Sequence, residues 1–181
     1  MAKVILITGG AASGKTRWAT SYLEKCDRVL YLRTNPKLDI DTEHRIEFAN
    51  NKNGTTWDIV TDVYEDPVQH FDYHKFIIFD ALSTYTSHMI EKMCQNVDEF
   101  TEDMRHEIEK KVIDDVNDMI EEVRRMEGTM VIITLETGFS VMPSERSQAI
   151  FRKVLGKVNQ RVAHLSNEVY FSASGIQFKI K

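Results

Sequence analysis

The stretch VILITGGAASGKT, Val4 to Thr16, constrains this chain more than any other part of it. Four apolar residues and a threonine run without a break into glycines, and the run closes on Gly-Lys-Thr. Val4–Thr8 reads as a buried strand. Ser13 to about Lys25 reads as a helix, with Trp18, Ala19, Tyr22 and Leu23 at helical spacing. Between them, Gly9-x-x-x-x-Gly14-Lys15-Thr16 matches the phosphate-binding loop pattern in full. Its glycines let the backbone curl around an anion with several N–H groups pointing inward. Gly9, Gly10, Ala11, Ala12, Ser13 and Gly14 form that cradle. Lys15 offers a cation to the β- and γ-phosphates, Thr16 offers a hydroxyl to Mg²⁺, and the following helix adds its positive end. The expected ligand is therefore a nucleoside triphosphate with Mg²⁺. The loop alone leaves the acceptor open: water, a small molecule, a protein or nothing.

Strand and helix patterns alternate along the rest of the chain. Val29–Leu32, Trp57–Val60, Phe76–Asp80 and Met130–Thr134 read as strands. Asp41 to about Asn50, Ser83 to Met93, Glu99 to Met126 and Ser144 to Leu165 read as helices. On the third of these, Ile108, Val112, Val116, Met119 and Val123 form an apolar stripe, and the many acids around it read as a solvated outer face. Val169, Phe171 and Ala173 alternate, Ser174-Gly175 turns the chain, and Ile176, Phe178 and Ile180 alternate again, which predicts a β-hairpin. The expected architecture is α/β, one domain over residues 1–181: a mainly parallel sheet flanked by helices and ending in an antiparallel hairpin.

A phosphate loop needs an acid at the end of a neighbouring strand, and Asp80 is the candidate. It would hold Mg²⁺ with Thr16, directly or through water, or cap the next helix, or do both. Glu136, after the strand Met130–Thr134, is placed at the same sheet edge, as a contact to the acceptor or the metal or as a solvated loop acid. Arg152 and Arg161 are candidates to steady charge on a transferring phosphoryl group, or to form helix-surface ion pairs. His70 and His74 stand four apart, but no third ligand has a clear position, so a surface or turn role is expected.

The charge balance carries no nucleic-acid signature. The formal net charge is −5, and twelve of the 28 acids fall between Asp98 and Glu127. Cys26 and Cys94 make no zinc or redox spacing, which points to reduced thiols and a cytoplasmic location. No apolar run is long enough to span a membrane.

Taken together, a set of pieces is more specific than the loop alone: TGGAASGKT, Val29-Leu30-Tyr31, Arg45-Ile46, Trp57, Asp80, Glu136-x-Gly138, Pro143, Phe151-Arg152, Gly156 and Asn159-Gln160-Arg161. Together they resemble the adenosylcobinamide kinase / adenosylcobinamide-phosphate guanylyltransferase family over nearly the whole chain. The resemblance implies a compact P-loop fold, a homo-oligomer (a trimer), and two reactions. In the first, ATP or GTP phosphorylates the aminopropanol hydroxyl of adenosylcobinamide, a corrinoid. In the second, GTP gives GMP to a protein histidine, which passes it to that phosphate. The resemblance also places Arg33, Thr34 and Asn35 against the nucleotide.

The family's guanylylated histidine lies four residues after the arginine and eight before the tryptophan. Both anchors here point to Ala49, and its neighbours Phe48, Asn50 and Asn51 are not histidines either. His44 stands five residues away, about 140° around a helix. Other family positions are also changed, at Ala12, Thr61, Leu135, Ala149 and Lys153. The expected activity is therefore the kinase, with guanylyl transfer weakened or lost. Two other readings remain: a P-loop kinase or NTPase with a different acceptor, and a nucleotide-binding protein without catalysis.

Overall fold

The computed structural model describes residues 2–139, 141 and 143–181. Seven strands and five α-helices follow one another as β1 (Lys3–Gly9), α1 (Lys15–Tyr22), β2 (Val29–Arg33), α2 (Ile40–Asn53), β3 (Trp57–Val60), β4 (Phe76–Asp80), α3 (Leu82–Met93), α4 (Glu102–Arg125), β5 (Thr129–Ile133), α5 (Arg146–Leu165), β6 (Glu168–Ala173) and β7 (Ile176–Lys179). All strands join one sheet in the order β3-β2-β4-β5-β1-β6-β7. Every neighbouring pair is parallel except β6 and β7, which form the expected hairpin.

The sheet is buried on both faces, which is why its central strands are apolar at successive positions rather than at alternate ones. On β1, Val4 and Leu6 pack towards α3, α4 and α5. Ile5 and Ile7 pack the other way, towards α1 and α2. The α4 stripe of Ile108, Val112, Val116, Met119 and Val123 is completely buried, and the acids lie around it as the periodicity predicts.

Helix ends move where capping geometry overrides propensity. α1 starts at Lys15, two residues later than expected, because Gly14 is its N-cap in the left-handed region (φ 96°) and the loop before it is non-helical. α1 also stops at Tyr22. α2 is longer than expected at both ends. The Asp39 carboxylate accepts a hydrogen bond from the Thr42 amide at its start, and left-handed Gly54 closes it. α4 begins at Glu102 because Thr101 caps it by accepting from the Met104 amide, and Val97–Glu99 form a separate 3-10 turn. The hairpin turn has Ser174 and Gly175 both at positive φ, the signature of a tight two-residue turn.

Of the surface or turn role expected for the His70–His74 pair, His74 takes the turn: its amide donates to the Phe71 carbonyl at 2.8 Å, it is 3% exposed, its Nε2 lies 2.7 Å from Asp58 Oδ2, and its Nδ1 lies 3.1 Å from the Phe71 carbonyl. It ties β3 to the segment before β4. No helix is long and apolar enough to cross a membrane among the described residues.

Candidate functional site

Parallel strands place their carboxyl ends along one edge, and the candidate residues collect there. β1 ends in the phosphate loop, β2 in Arg33, β4 in Asp80 and β5 in the segment that leads to Glu136. Arg33 and Asp80 are direct register partners on β2 and β4. Sheet order therefore brings Arg33 and Asp80, 47 residues apart, to one edge.

The loop is held from outside by the terminal hairpin. The Gly175 amide and the Ser172 hydroxyl both donate to the Ser13 carbonyl, at 3.0 and 2.7 Å. The Gln177 side chain in turn donates to Ser172 Oγ at 3.1 Å. Gly9 is required by this contact: a Cβ there would lie 2.2 Å from the Ser172 carbonyl oxygen, and its φ of 151° disfavours any side chain. Gly14 similarly lies against Gly175, with 3.2 Å between a built Cβ and the Gly175 Cα.

Lys15 folds back over the loop and donates to the Gly9 and Gly10 carbonyls, at 3.0 and 2.6 Å. Burial lowers its pKa from the ordinary lysine value, and the negative charge of Asp80 opposes that shift. A polyphosphate drawn into the cradle would supply the counter-charge that the two carbonyls supply only partly. The Ser13 hydroxyl is buried within the loop without a hydrogen-bond partner among the described residues. Such an orphan is costly unless something satisfies it, and an anion oxygen is a suitable acceptor.

Asp80 stands beside the loop. Its Oδ2 lies 3.4 Å from the Thr16 hydroxyl and 2.5 Å from the Tyr31 hydroxyl, which donates to it. Burial pushes the Asp80 pKa up. The Tyr31 hydrogen bond and the nearby Arg33 guanidinium pull it back down. No group of three or more His, Cys, Asp or Glu side chains converges among the described residues. A hydroxyl and a carboxylate are hard oxygen donors, and two of them suit an ion that takes its remaining ligands from phosphate and water, as Mg²⁺ does.

The remaining candidates divide. Arg33 pairs with Asp39 at 3.1 Å, and its Nε is buried without a partner among the described residues. Thr34 is fully buried. Its amide donates to the Asp80 carbonyl at 2.9 Å and its hydroxyl accepts from the Ala81 amide at 3.2 Å, so it fastens β2 to the end of β4. Asn35 is exposed. The Glu136 amide donates to the Gly9 carbonyl at 3.0 Å, while its carboxylate accepts from the Gly138 amide at 2.6 Å. Arg152 donates to the Gly138 carbonyl at 2.9 Å, and Arg161 is exposed on α5. A cavity of about 640 Å³ opens beside Glu136, between α5 and the β1–β6 edge. Thr8, Ala149, Arg152, Lys153 and Gly156 are among its lining residues.

Three structural contributions have no local signal in the sequence. They are the Tyr31 contact to Asp80, the Ser172–Gly175 brace, and Asn159. The Asn159 side chain accepts from Thr134 and donates to the Leu135 carbonyl, holding the turn out of β5. On α2, Ala49 is 8% exposed and faces Thr20, Glu24 and Trp57. His44 instead lies in an open groove with Arg17, Asp41, Arg45 and Phe48.

A mainly parallel sheet with a glycine-rich loop leading from β1 into α1 defines an α/β protein of the P-loop type. A family model described as cobinamide kinase / cobinamide phosphate guanyltransferase matches residues 5–180. The chain belongs to that family. It is 29% identical to the bifunctional adenosylcobalamin biosynthesis protein CobU of Escherichia coli K12, across 98% of this chain and 99% of that protein. It is 28% identical to the protein of the same name from Salmonella typhimurium LT2, with the same coverage.

Proposed function

We propose that this protein is an adenosylcobinamide kinase that transfers the γ-phosphoryl group of ATP or GTP to the corrinoid's aminopropanol hydroxyl, and that guanylyl transfer is weakened or lost. One contrast carries the reading: the phosphate loop, Lys15, Thr16 and Asp80 stand together at one sheet edge, while Ala49 occupies the family's histidine position.

The division is chemically coherent. Phosphoryl transfer asks mainly for alignment and charge compensation, which backbone amides and a fixed cation provide. Guanylyl transfer through the protein needs a nucleophile, and alanine has none. In this reading the loop amides, from Gly9 to Gly14, and Lys15 bind the triphosphate. Thr16 and Asp80 hold Mg²⁺, which when bound neutralises charge on the β- and γ-phosphates. Arg33, whose Nε has no partner among the described residues, and Asn35 face the nucleotide side of the edge. Glu136 stands at the mouth of the cavity that receives the acceptor.

The protein works as one domain over residues 1–181. Free Cys26 and Cys94 support a cytoplasmic setting. Ile176 and Phe178 on β7 and Ile180 just after it, each more than half exposed, support a homo-oligomer, a trimer as the family resemblance implies. A different acceptor is the second reading. It is favoured by Ala149 and Lys153, two departures from the family pattern that both line the cavity.

The test is transfer of label from γ-labelled ATP or GTP with Mg²⁺ and adenosylcobinamide, run beside α-labelled GTP alone. γ-Label on the corrinoid and no α-label on the protein is the expected result. α-Label on the protein would overturn the loss of guanylyl transfer. Nucleotide hydrolysis or binding with no labelled corrinoid would overturn the acceptor.

A further inference from the structure

Tyr31 is completely buried on β2, in the apolar layer with Ile5, Ile7, Ile78 and Val131. Phenylalanine would fill the same volume. The phenol oxygen adds a polar atom that must find a partner at this depth. Its partner is Asp80 Oδ2, at 2.5 Å.

The same carboxylate oxygen faces the Thr16 hydroxyl, but at 3.4 Å. The two contacts are therefore unequal. A short O–H···O⁻ bond is charge-assisted and directional, and one at 3.4 Å is at the limit of being a bond. A threonine that serves as a metal ligand must also turn its lone pair to the cation. Tyr31 has no such second duty, so its bond persists when the site is loaded.

We propose that Tyr31 is a positioning residue for Asp80: its hydroxyl fixes the orientation of the carboxylate, and through it sets the affinity of the site for the divalent cation. The inference rests on the reading of Asp80 as the metal-holding acid. Tyr31 is fully buried and so offers no surface to nucleotide or acceptor. Partners that orient metal-holding groups are worth about 10- to 100-fold in metal affinity when removed.

The experiment is Mn²⁺ titration, followed by electron paramagnetic resonance, of the protein carrying a non-hydrolysable ATP analogue. Tyr31→Phe is expected to weaken Mn²⁺ binding about 10-fold or more. Affinity for the metal-free analogue should stay within about twofold, since the loop amides are untouched. In an Asp80→Asn background the same substitution should add nothing, because the effect runs through Asp80. Unchanged Mn²⁺ affinity in Tyr31→Phe overturns the proposal. So does an equal loss in the Asp80→Asn background, or an equal loss of metal-free nucleotide affinity. Should Asp80→Asn bind Mn²⁺ like the wild type, the metal reading of Asp80 itself fails. Should Tyr31→Phe not fold, the wild type decides: Mg²⁺ added to the analogue complex must perturb the near-ultraviolet tyrosine band, and an unperturbed band overturns the proposal.

Discussion

α1 and α2 both pack on the same face of the sheet, and in the proposed reading they differ in how they would support the family's two reactions. Around α1, function is spread over backbone. Loop amides, the Ser13 carbonyl and the close approach of Gly9 to Ser172 all take part, and no single side chain carries the whole task. Around α2, in the proposed reading, guanylyl transfer would need an imidazole at position 49. The helix is intact, capped by Asp39 and closed by Gly54, yet position 49 is an alanine turned towards Thr20, Glu24 and Trp57. A site built from backbone resists sequence drift, because most substitutions leave the amides in place. A site built on one nucleophile is lost in one step while the fold stays whole.

That contrast can be broken at four points. The largest expected effect is at the one side chain on which the loop does depend. Lys15→Ala should lower kcat/KM for phosphoryl transfer about 10³-fold, in the range seen when a charge-stabilising donor is removed. Its melting temperature should not fall, since the ammonium is held at a desolvation cost. Steady-state kinetics beside calorimetry checks both. Next is Gly9→Ala, whose new methyl overlaps the Ser172 carbonyl at 2.2 Å. It should cost about 3 kcal/mol in urea unfolding, the overpacking range. A stability near wild type would mean that the hairpin does not brace the loop.

Ala49→His tests the other side. The added ring enters a nearly closed space, so a loss of about 1 kcal/mol is expected. No protein-bound GMP should form from α-labelled GTP, because the family pattern is also changed at Ala12, Thr61, Leu135, Ala149 and Lys153. Appearance of the adduct would show that α2 lacks only the nucleophile, and would sharpen the contrast to a single atom.

The smallest effect concerns the outer edge of the same hairpin. Glu168 bridges Lys3 on β1 and Lys179 on β7, at 3.0 and 2.9 Å. Lys179, with further help from Lys3 and Tyr170, holds its pKa down to about 2, against the usual 4.5. A depressed carboxyl stabilises the fold above its unfolded pKa, and that stability is lost as pH falls from about 4.5 through about 2. Solvent screening keeps the amount to about 1 kcal/mol. Glu168→Gln should flatten the stability curve over that window, and high salt should mimic the substitution.

Much of the fold was legible from periodicity alone. The α4 stripe, the strand Phe76–Asp80 and the hairpin around Ser174-Gly175 each carry a pattern set by neighbours in sequence. The phosphate loop was legible for the same reason. Asp80 could be found because an acid that ends a buried strand is a local signal. Tyr31 reads as one more apolar strand residue, and only the β2–β4 register sets its hydroxyl against Asp80. The burial of the turn residue His74 was not legible because its partner, Asp58, lies on β3, 16 residues away. The start of α1 was misplaced because Gly14 adopts a left-handed cap that no propensity predicts.

The brace on the phosphate loop has a consequence for how the protein becomes competent. Ser172 and Ser13 are 159 residues apart, so the cradle is a long-range structure even though its motif is short. A nascent chain displays the whole glycine-rich motif well before the segment that braces it is made. Its support arrives only when β6 docks beside β1, a pairing whose loop-closure cost is among the highest in the fold. In the proposed reading, nucleotide capture therefore waits for that docking. A ligand that binds only the finished cradle also draws the last stage of folding to completion.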